Sequence, residues 1–523
     1  MSVMLNLKRK VVRTKMNNNL IYFDEPKLAF GYDQTSEDPR DGLSLFGPYE
    51  KSISHTVQAG VIGTQKGIEN YEDFVKRLEK PIISNNVQRP SFLGFESIFG
   101  VKWQSKPIIE RVIDDVVLKD LLSISNLQER TYKVVNLFLD EIKKVKSEEE
   151  TDINIWFVVI PKSVWLKCRP MSSSTKISSS TRDEVLAFQE GQHALFPEIE
   201  EQLEEMSEVL DSSSDFHHQL KARVINEGVQ IPIQIILETT LAFKDKYTET
   251  EFEDEMKAHL AWTQSSALYY KLSRLPWKLK DIREGVCYVG LVFKKFEHLT
   301  RKGYACSAAQ MFLDSGDGTI FRGNIGPWLS ENEKEYHLDK VAAKDLLSKA
   351  LATYWKNNEK KYPREVFIHG RARFNQNEWD GFREAVNEVS DDTNLVGVVI
   401  KSSNKLKIFR EVEKQDCKYG NLRGLGLIVN QHEGFIWTKG FVPRLNTSTS
   451  LEIPNPLRVH IVRGDSKIHQ VLQDILALTK LNYNACIYGD GLPVTLRFSD
   501  QIGSILTAID DLQNELLQFK YYI

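Results

Sequence analysis

The chain has 523 residues, with 68 lysines and arginines against 72 aspartates and glutamates for a net charge of −4, and it is 41% hydrophobic and 27% charged. That composition belongs to a globular chain of up to about three folding units and excludes a disordered polymer, a collagen or a peptide-sized scaffold. The longest apolar run, Ile155 to Ile160, is far shorter than the roughly 18 to 20 residues a membrane-spanning helix needs, so no membrane association is expected.

The N-terminus is basic (Lys8, Arg9, Lys10, Arg13, Lys15), but polar residues follow where a secretory leader needs an apolar stretch, which predicts a cytoplasmic protein. Five scattered cysteines (Cys168, Cys287, Cys306, Cys417, Cys486) without a C-x-x-C pair argue against both a disulfide framework and a zinc site.

In chain order, a turn-rich lead-in runs from Leu20 to about Glu149 and turns helical near Leu118 to Val145. A buried strand follows, Ile153 to Ile160, stopped by Pro161, as in a sheet covered on both faces. The serine run Met171 to Thr181 is expected to be a loop, and the acidic stretch Glu198 to Leu210 a solvated helix. Beyond Pro276 come predicted strands at Val286–Phe293, Ala305–Leu313 and Thr319–Arg322, the last pair joined by a turn at Gly316-Asp-Gly318. A helix is predicted from Asp339 to Trp355, with Val341, Leu346, Leu347, Ala350, Leu351 and Tyr354 on its apolar stripe. A strand (Glu365–His369), a helix (Glu378–Val389) and a strand (Leu395–Ile400) complete a β-β-β-α-β-α-β order. This is the order of an RNase H-like unit, an antiparallel trio followed by parallel strands, with crossover helices expected on both faces.

Further stretches are Asp38-Pro-Arg-Asp-Gly-Leu-Ser-Leu-Phe-Gly-Pro48, Gly60-Val-Ile-Gly-Thr-Gln-Lys-Gly67, Phe216-His-His-Gln-Leu-Lys221, Tyr269-Tyr-Lys-Leu272, Pro276-Trp-Lys-Leu279, Phe441-Val-Pro443, Leu478-Thr-Lys-Leu-Asn482, Pro493-Val-Thr-Leu-Arg-Phe498 and Lys520-Tyr-Tyr-Ile523. In these stretches, taken in order, the chain resembles the short prokaryotic Argonautes, the MID-PIWI proteins, and among them most the Argonaute subunit of SPARTA systems. The resemblance implies an α/β fold: a MID domain with a Rossmann-like parallel sheet (151–280), then a PIWI domain with an RNase H-like mixed sheet (281–523). Residues 1–150 would be a lead-in packed on both, and the N and PAZ domains would be absent.

For the MID domain the resemblance implies an anchor for a guide 5′-phosphate, at His217, Lys221, Gln234 and Lys271. The spacing is workable, since His217 and Lys221 lie four apart on one helix face beside the apolar stripe Phe216, Leu220 and Val224. Such a pair alone reads as solvated helix surface, and all four elements in family order point to phosphate. Tyr269 and Tyr270 offer stacking surface. The resemblance also implies that the Ile523 carboxylate reaches this pocket and, with Gln234, holds Mg²⁺, whose preference for oxygen ligands suits such a site.

In cutting PIWI domains the first strand carries an aspartate and the fourth ends in another. Here those places fall on Val292 and on Gly370 or a neighbour, leaving Asp500 as a remnant acid. Two-metal hydrolysis needs several converging carboxylates, so strand cleavage is expected to be lost. Backbone contacts are expected from Arg274, Lys278, Arg371 and Arg373, within a basic stripe that also takes in Lys271, Lys280, Arg283, Lys294, Lys295, Arg301 and Lys302.

The expected function is RNA-guided recognition of single-stranded DNA without cutting. By resemblance, target capture activates a TIR-APAZ partner that hydrolyses NAD⁺ or NADP⁺, as a heterodimer that oligomerises on target binding to a tetramer of heterodimers, giving abortive defence against plasmids and phage. Alternatives are a Sir2-APAZ or nuclease-APAZ effector, an active guide-directed nuclease, or a guide-independent nucleic-acid scaffold.

Overall fold

The structure is a computed structural model that describes residues 19–51, 56–148, 152–175, 179–189, 197–280, 283–295, 305–312, 318–326, 328, 335–408, 421–445, 453–509 and 518–523. The first strand, β1 (Leu20–Tyr22), goes to the edge of a large sheet formed mainly by the second half of the chain. Four strands then build a smaller parallel sheet: β2 (Ala59–Gly63), β3 (Ile109–Val112), β4 (Ile155–Ile160) and β5 (Ile233–Leu237), in the order β5-β4-β2-β3. All six residues of β4 are buried, as its aliphatic run requires.

Alternate residues of β4 feed opposite cores. Phe157 and Val159 pack against helix α1 (Gln65–Leu78), while Trp156, Val158 and Ile160 share a core with α2 (Leu127–Glu148) and α3 (Phe216–Asn226). Thr64 caps α1 by accepting from the Gly67 amide at 3.1 Å. Gly60 makes room for Trp156, because a Cβ there would meet its ring at 2.4 Å.

The expected boundary near residue 150 thus runs through one sheet, since β2 and β3 come from the lead-in. A further helix, α4 (Asp254–Lys271), leads into Lys278–Leu279, which pair with Leu28–Ala29.

The large sheet contains β6 (Val286–Lys295), β7 (Ala305–Phe312), β8 (Gly318–Gly326), β9 (Glu365–Gly370), β10 (Asn394–Ser402), β11 (Leu425–Ile428), β12 (Glu433–Ile436) and β13 (Leu457–Arg463). Its order is β1-β11-β12-β13-β10-β9-β6-β7-β8, so the expected antiparallel trio and parallel strands are present and four further strands extend them. Helix α5 (Lys340–Asn357) joins β8 to β9 and α6 (Gln376–Asn387) joins β9 to β10.

These two helices pack on each other and on one face of the sheet, which corrects the expectation of crossovers on both faces. Both crossovers link parallel strands and step the same way across the sheet, so right-handedness puts them on the same side. Val341 is also corrected: it is 75% exposed, on the first turn of α5, while Leu346, Leu347, Ala350, Leu351 and Tyr354 are buried. The opposite face is covered by α7 (Ile468–Leu478), the short helix Val494–Arg497 and α8 (Ser499–Leu506). Gly290 lets this layer press on β6, since a Cβ there would lie 2.0 Å from the Thr495 carbonyl oxygen. No helix among the described residues is long and apolar enough to cross a membrane.

Candidate functional site

Asp215 starts α3 by accepting from the His218 amide at 3.1 Å. Phe216, Leu220 and Val224 then anchor the helix in the core, with Phe216 edge-on to Phe138 at 5.3 Å. That anchoring turns His217 and Lys221 towards the end of the parallel sheet. Lys221 is 2% exposed, and its ammonium donates to the main-chain oxygens of Tyr522 at 3.1 Å and Ile523 at 2.5 Å. Lys271, the last residue of α4, is equally buried and donates to the Ile233 carbonyl oxygen at 3.2 Å and to Gln234 Oε1. The five residues read from the sequence therefore come together.

Neither lysine has an acidic side-chain partner among the described residues. Burial alone pushes the Lys221 ammonium down to about 7, and burial together with Lys221 holds Lys271 well below the ordinary lysine range. His217 is open to solvent on one side yet walled by protein, and this burial, with Lys221, His218 and Lys271 around it, keeps its imidazole neutral at pH 7. The result is a bowl with two desolvated amines and no acidic side chain among the described residues, where the Ile523 terminal carboxylate meets Lys221 and Lys271 has only neutral acceptors, so that a further anion can be taken up.

Donor atoms of Asp215, His217 and His218 lie within 4.8 Å of one another. A cation there would face the positive end of α3 as well as the Asp215 carboxylate. Tyr269 and Tyr270 correct a further expectation: both are buried, Tyr269 bonded through its hydroxyl to the Glu50 carbonyl oxygen and Tyr270 stacked on Tyr483 at 4.6 Å. Their rings serve the core and offer no stacking surface.

A second hollow, of about 260 Å³, opens where the RNase H-like order leads one to seek acids. Val292 and Gly370 both line it, with Arg371 and Arg373 exposed at its rim. Its carboxylates are Glu335 and Glu378. Glu378 is 1% exposed, accepts from the Leu338 amide at 3.2 Å and lies 3.5 Å from His337 Nδ1. Burial raises its pKa. The sequence placed Glu378 at a helix start without giving it a part in this hollow, and Asn375-x-x-Glu378 is that start: Asn375 accepts from the Glu378 amide at 2.8 Å. Asp500 falls in α8.

The basic stripe is partly consumed by structure. Lys280 pairs with Asp33 at 2.5 Å, Arg283 with Asp474 at 2.6 Å and with Glu365, and Lys278 lies 4.4 Å above the Tyr49 ring. Arg274 is half-buried, while Lys294 and Lys295 line a third hollow together with His218. Arg301 and Lys302 lie outside the described residues.

The fold is similar to those of solved prokaryotic Argonautes. The Clostridium butyricum Argonaute, solved with a guide DNA (5′ deoxycytidine) and a 19-mer target DNA, matches 94% of this chain over 53% of its own, with TM-score 0.61 and 16% identity. The fold is that of an Argonaute. Aa-Ago with externally bound siRNA matches 97% of this chain over 56% of its own (TM-score 0.53, 16% identity), and the A. aeolicus Argonaute matches 93% over 53% (TM-score 0.51, 14% identity). The chain thus spans a little over half the length of these Argonautes. No family model and no curated protein matches its sequence.

Proposed function

We propose that this chain is a short Argonaute of MID-PIWI type, most like the SPARTA subunit, that holds the 5′-phosphate of a short guide RNA. It pairs that guide with single-stranded DNA and cuts neither strand. The observation that carries the reading is the bowl in which Lys221 and Lys271 are buried beside His217 and Gln234 with no acidic side chain among the described residues. A phosphate gives both ammonium groups a charged acceptor, and charge-assisted bonds of this kind are about twice as strong as neutral ones.

Mg²⁺ belongs to the same proposal. Its preferred hard oxygens are at hand in Gln234 Oε1 and the Ile523 main-chain oxygen, each of which accepts from a lysine in this structure. A bound phosphate would draw the ammonium groups to itself and release those oxygens. Gln234 and Ile523 would then hold the ion, whose charge would offset that of the phosphate. A chelator should weaken binding of 5′-phosphorylated guide more than of 5′-hydroxyl guide; equal effects would remove the metal from the proposal.

Absence of cutting follows from Val292 and Gly370 at the expected acid positions and from the engagement of Glu378 by Leu338 and His337. Two cations about 3.5 to 4 Å apart need more carboxylates than that. Guide-loaded protein given complementary DNA with Mg²⁺ or Mn²⁺ should leave it intact. Metal-dependent fragments would establish the nuclease alternative.

The effector is proposed to be a separate TIR-APAZ protein that consumes NAD⁺ or NADP⁺ after target capture. Co-expression with the adjacent gene product, sequencing of the bound nucleic acid and an NAD⁺ assay on adding complementary single-stranded DNA test the whole scheme. Short 5′-phosphorylated RNA with DNA-triggered NAD⁺ loss is expected. RNA without NAD⁺ loss would reject the TIR partner, and no bound guide would reject the Argonaute mechanism.

A further inference from the structure

A larger hollow, of about 610 Å³, adjoins the one at Val292 and Gly370 and shares Arg373 and Phe374 with it. Its other walls are Asn430, Gln431 and His432 from the turn between β11 and β12, and His460 to Arg463 of β13. No carboxylate lines it. Glu433, the nearest acid in sequence, is drawn off to Arg458 at 2.7 Å.

The basin has a fixed frame. The Ile461 amide donates to the His432 carbonyl oxygen at 2.8 Å, and the His432 amide donates to Asn430 Oδ1 at 2.9 Å, which sets the turn. Arg463 is held by the Phe374 carbonyl oxygen at 3.1 Å and Gln376 Oε1 at 3.2 Å, so its guanidinium is oriented before anything binds. Two arginines, two histidines and two side-chain amides therefore surround a floor of Ile461 and Val462.

We propose that this basin binds the sugar-phosphate backbone of single-stranded DNA running on from the Val292–Gly370 hollow, namely the part of the target beyond its guide-paired stretch. This rests on the guided-recognition reading above. Cationic and amide donors without acids are the groups that contact phosphate and sugar. A protein contact would want a desolvated aromatic or aliphatic anchor, and the one aromatic wall, Phe374, is already packed in the α5–α6 core. Arg373 makes the two hollows continuous, so a strand crossing one meets the other.

Burial lowers the His460 pKa, with Arg373, Arg458 and His432 acting the same way against Glu433. An arriving phosphate opposes those cations, so binding at the basin should strengthen as pH falls.

The test measures binding of guide-loaded protein to a fully complementary DNA with and without a single-stranded extension of about 10 nucleotides, within the site sizes such grooves cover. The wild type should gain several-fold in affinity from the extension, more at low salt and at pH 6 than at pH 8. The double variants His432→Glu/His460→Glu and His432→Gln/His460→Gln should lose that gain, with affinity for the unextended target unchanged. The glutamine pair preserves size and polarity in case the glutamates disturb β13. No gain in the wild type, or a gain that survives in both variants, overturns the proposal. Failure to bind even the unextended target would instead count against guided recognition itself.

Discussion

Lys221→Met should leave the stability of the ligand-free protein nearly unchanged while damaging its proposed function, and the size of both effects can be worked out. The ammonium falls from an ordinary 10.5 to about 7 on folding. At 1.36 kcal/mol per unit, keeping this charge buried costs the folded state about 4 kcal/mol at pH 7. Methionine fills similar space without the charge, but leaves the Tyr522 carbonyl oxygen and the Ile523 terminal carboxylate without their donor, and stripping a buried charge of its partner costs about 3 to 5 kcal/mol. The two terms cancel to within about 1 kcal/mol, which at about 2.1 cal/mol/K per residue over 523 residues is about 1 °C in a thermal melt. Because the folded pKa lies below the unfolded one, wild-type stability should rise as pH climbs from about 7 towards 10.5, and the variant should lose most of that slope. The same substitution should reduce affinity for 5′-phosphorylated guide by about 10- to 150-fold, the equivalent of one charged hydrogen bond at 1.5 to 3 kcal/mol, and spare 5′-hydroxyl guide. A melting temperature shifted by more than about 3 °C, or unchanged discrimination between the two guides, would refute the reasoning.

Gly290→Ala should destabilise by at least about 1 to 3 kcal/mol in urea denaturation, because its Cβ meets backbone at Thr495 that cannot swing aside. Glu25→Gln should be more damaging. The Glu25 carboxylate serves Arg423 at 2.9 Å and Lys480 at 2.7 Å, both buried, and stripping a buried cation of its partner costs about 3 to 5 kcal/mol. Burial already lowers Lys480 to about 8, so it can shed its proton, and the deficit measured at pH 7 should shrink at pH 9. Asp215→Ala removes the cap of α3 and should cost about 1 kcal/mol in the same melts, with a smaller loss of guide affinity than Lys221→Met.

The β-β-β-α-β-α-β part of the large sheet was legible from apolar runs and apolar helix stripes, whereas β1, β11, β12 and β13 were not. The His217–Lys221 spacing only allowed a shared helix face, and it was the resemblance that picked out His217, Lys221, Gln234 and Lys271 together. What escaped was decided elsewhere in space. β2 reads Ala-Gly-Val-Ile-Gly, weak as a local strand signal, and becomes one because β4 and β3 flank it. The edge strand β3 mixes Ile109 and Val112 with Glu110 and Arg111, so nothing local announces it. Tyr269 and Tyr270 look available for stacking until Glu50 and Tyr483, from distant parts of the chain, claim them. The burial of Glu378 could not be read locally, because Leu338 and His337, which bury it, approach only after α5 and α6 have packed.

The bowl around Lys221 and Lys271 and the large sheet are mechanically joined at the chain's last residues. Tyr522 and Ile523, which accept from Lys221, belong to the same core as Phe498, Ile502 and Ile505, the layer laid over β6 and β9. Phe519 packs on Phe498 at 5.1 Å, and the Ser213 amide just ahead of α3 donates to the Ala508 carbonyl oxygen at 2.7 Å. An anion that draws Lys221 towards itself therefore loosens two bonds that hold this segment, while the same anion adds charge-assisted bonds on the α3 side. Guide loading should then be read by the C-terminal layer. Hydrogen exchange of the 519–523 amides should change when 5′-phosphorylated guide binds and stay constant with 5′-hydroxyl guide. The same amides should be indifferent to either guide in Lys221→Met, because the coupling runs through that one ammonium; a response that persists in the variant would place it elsewhere.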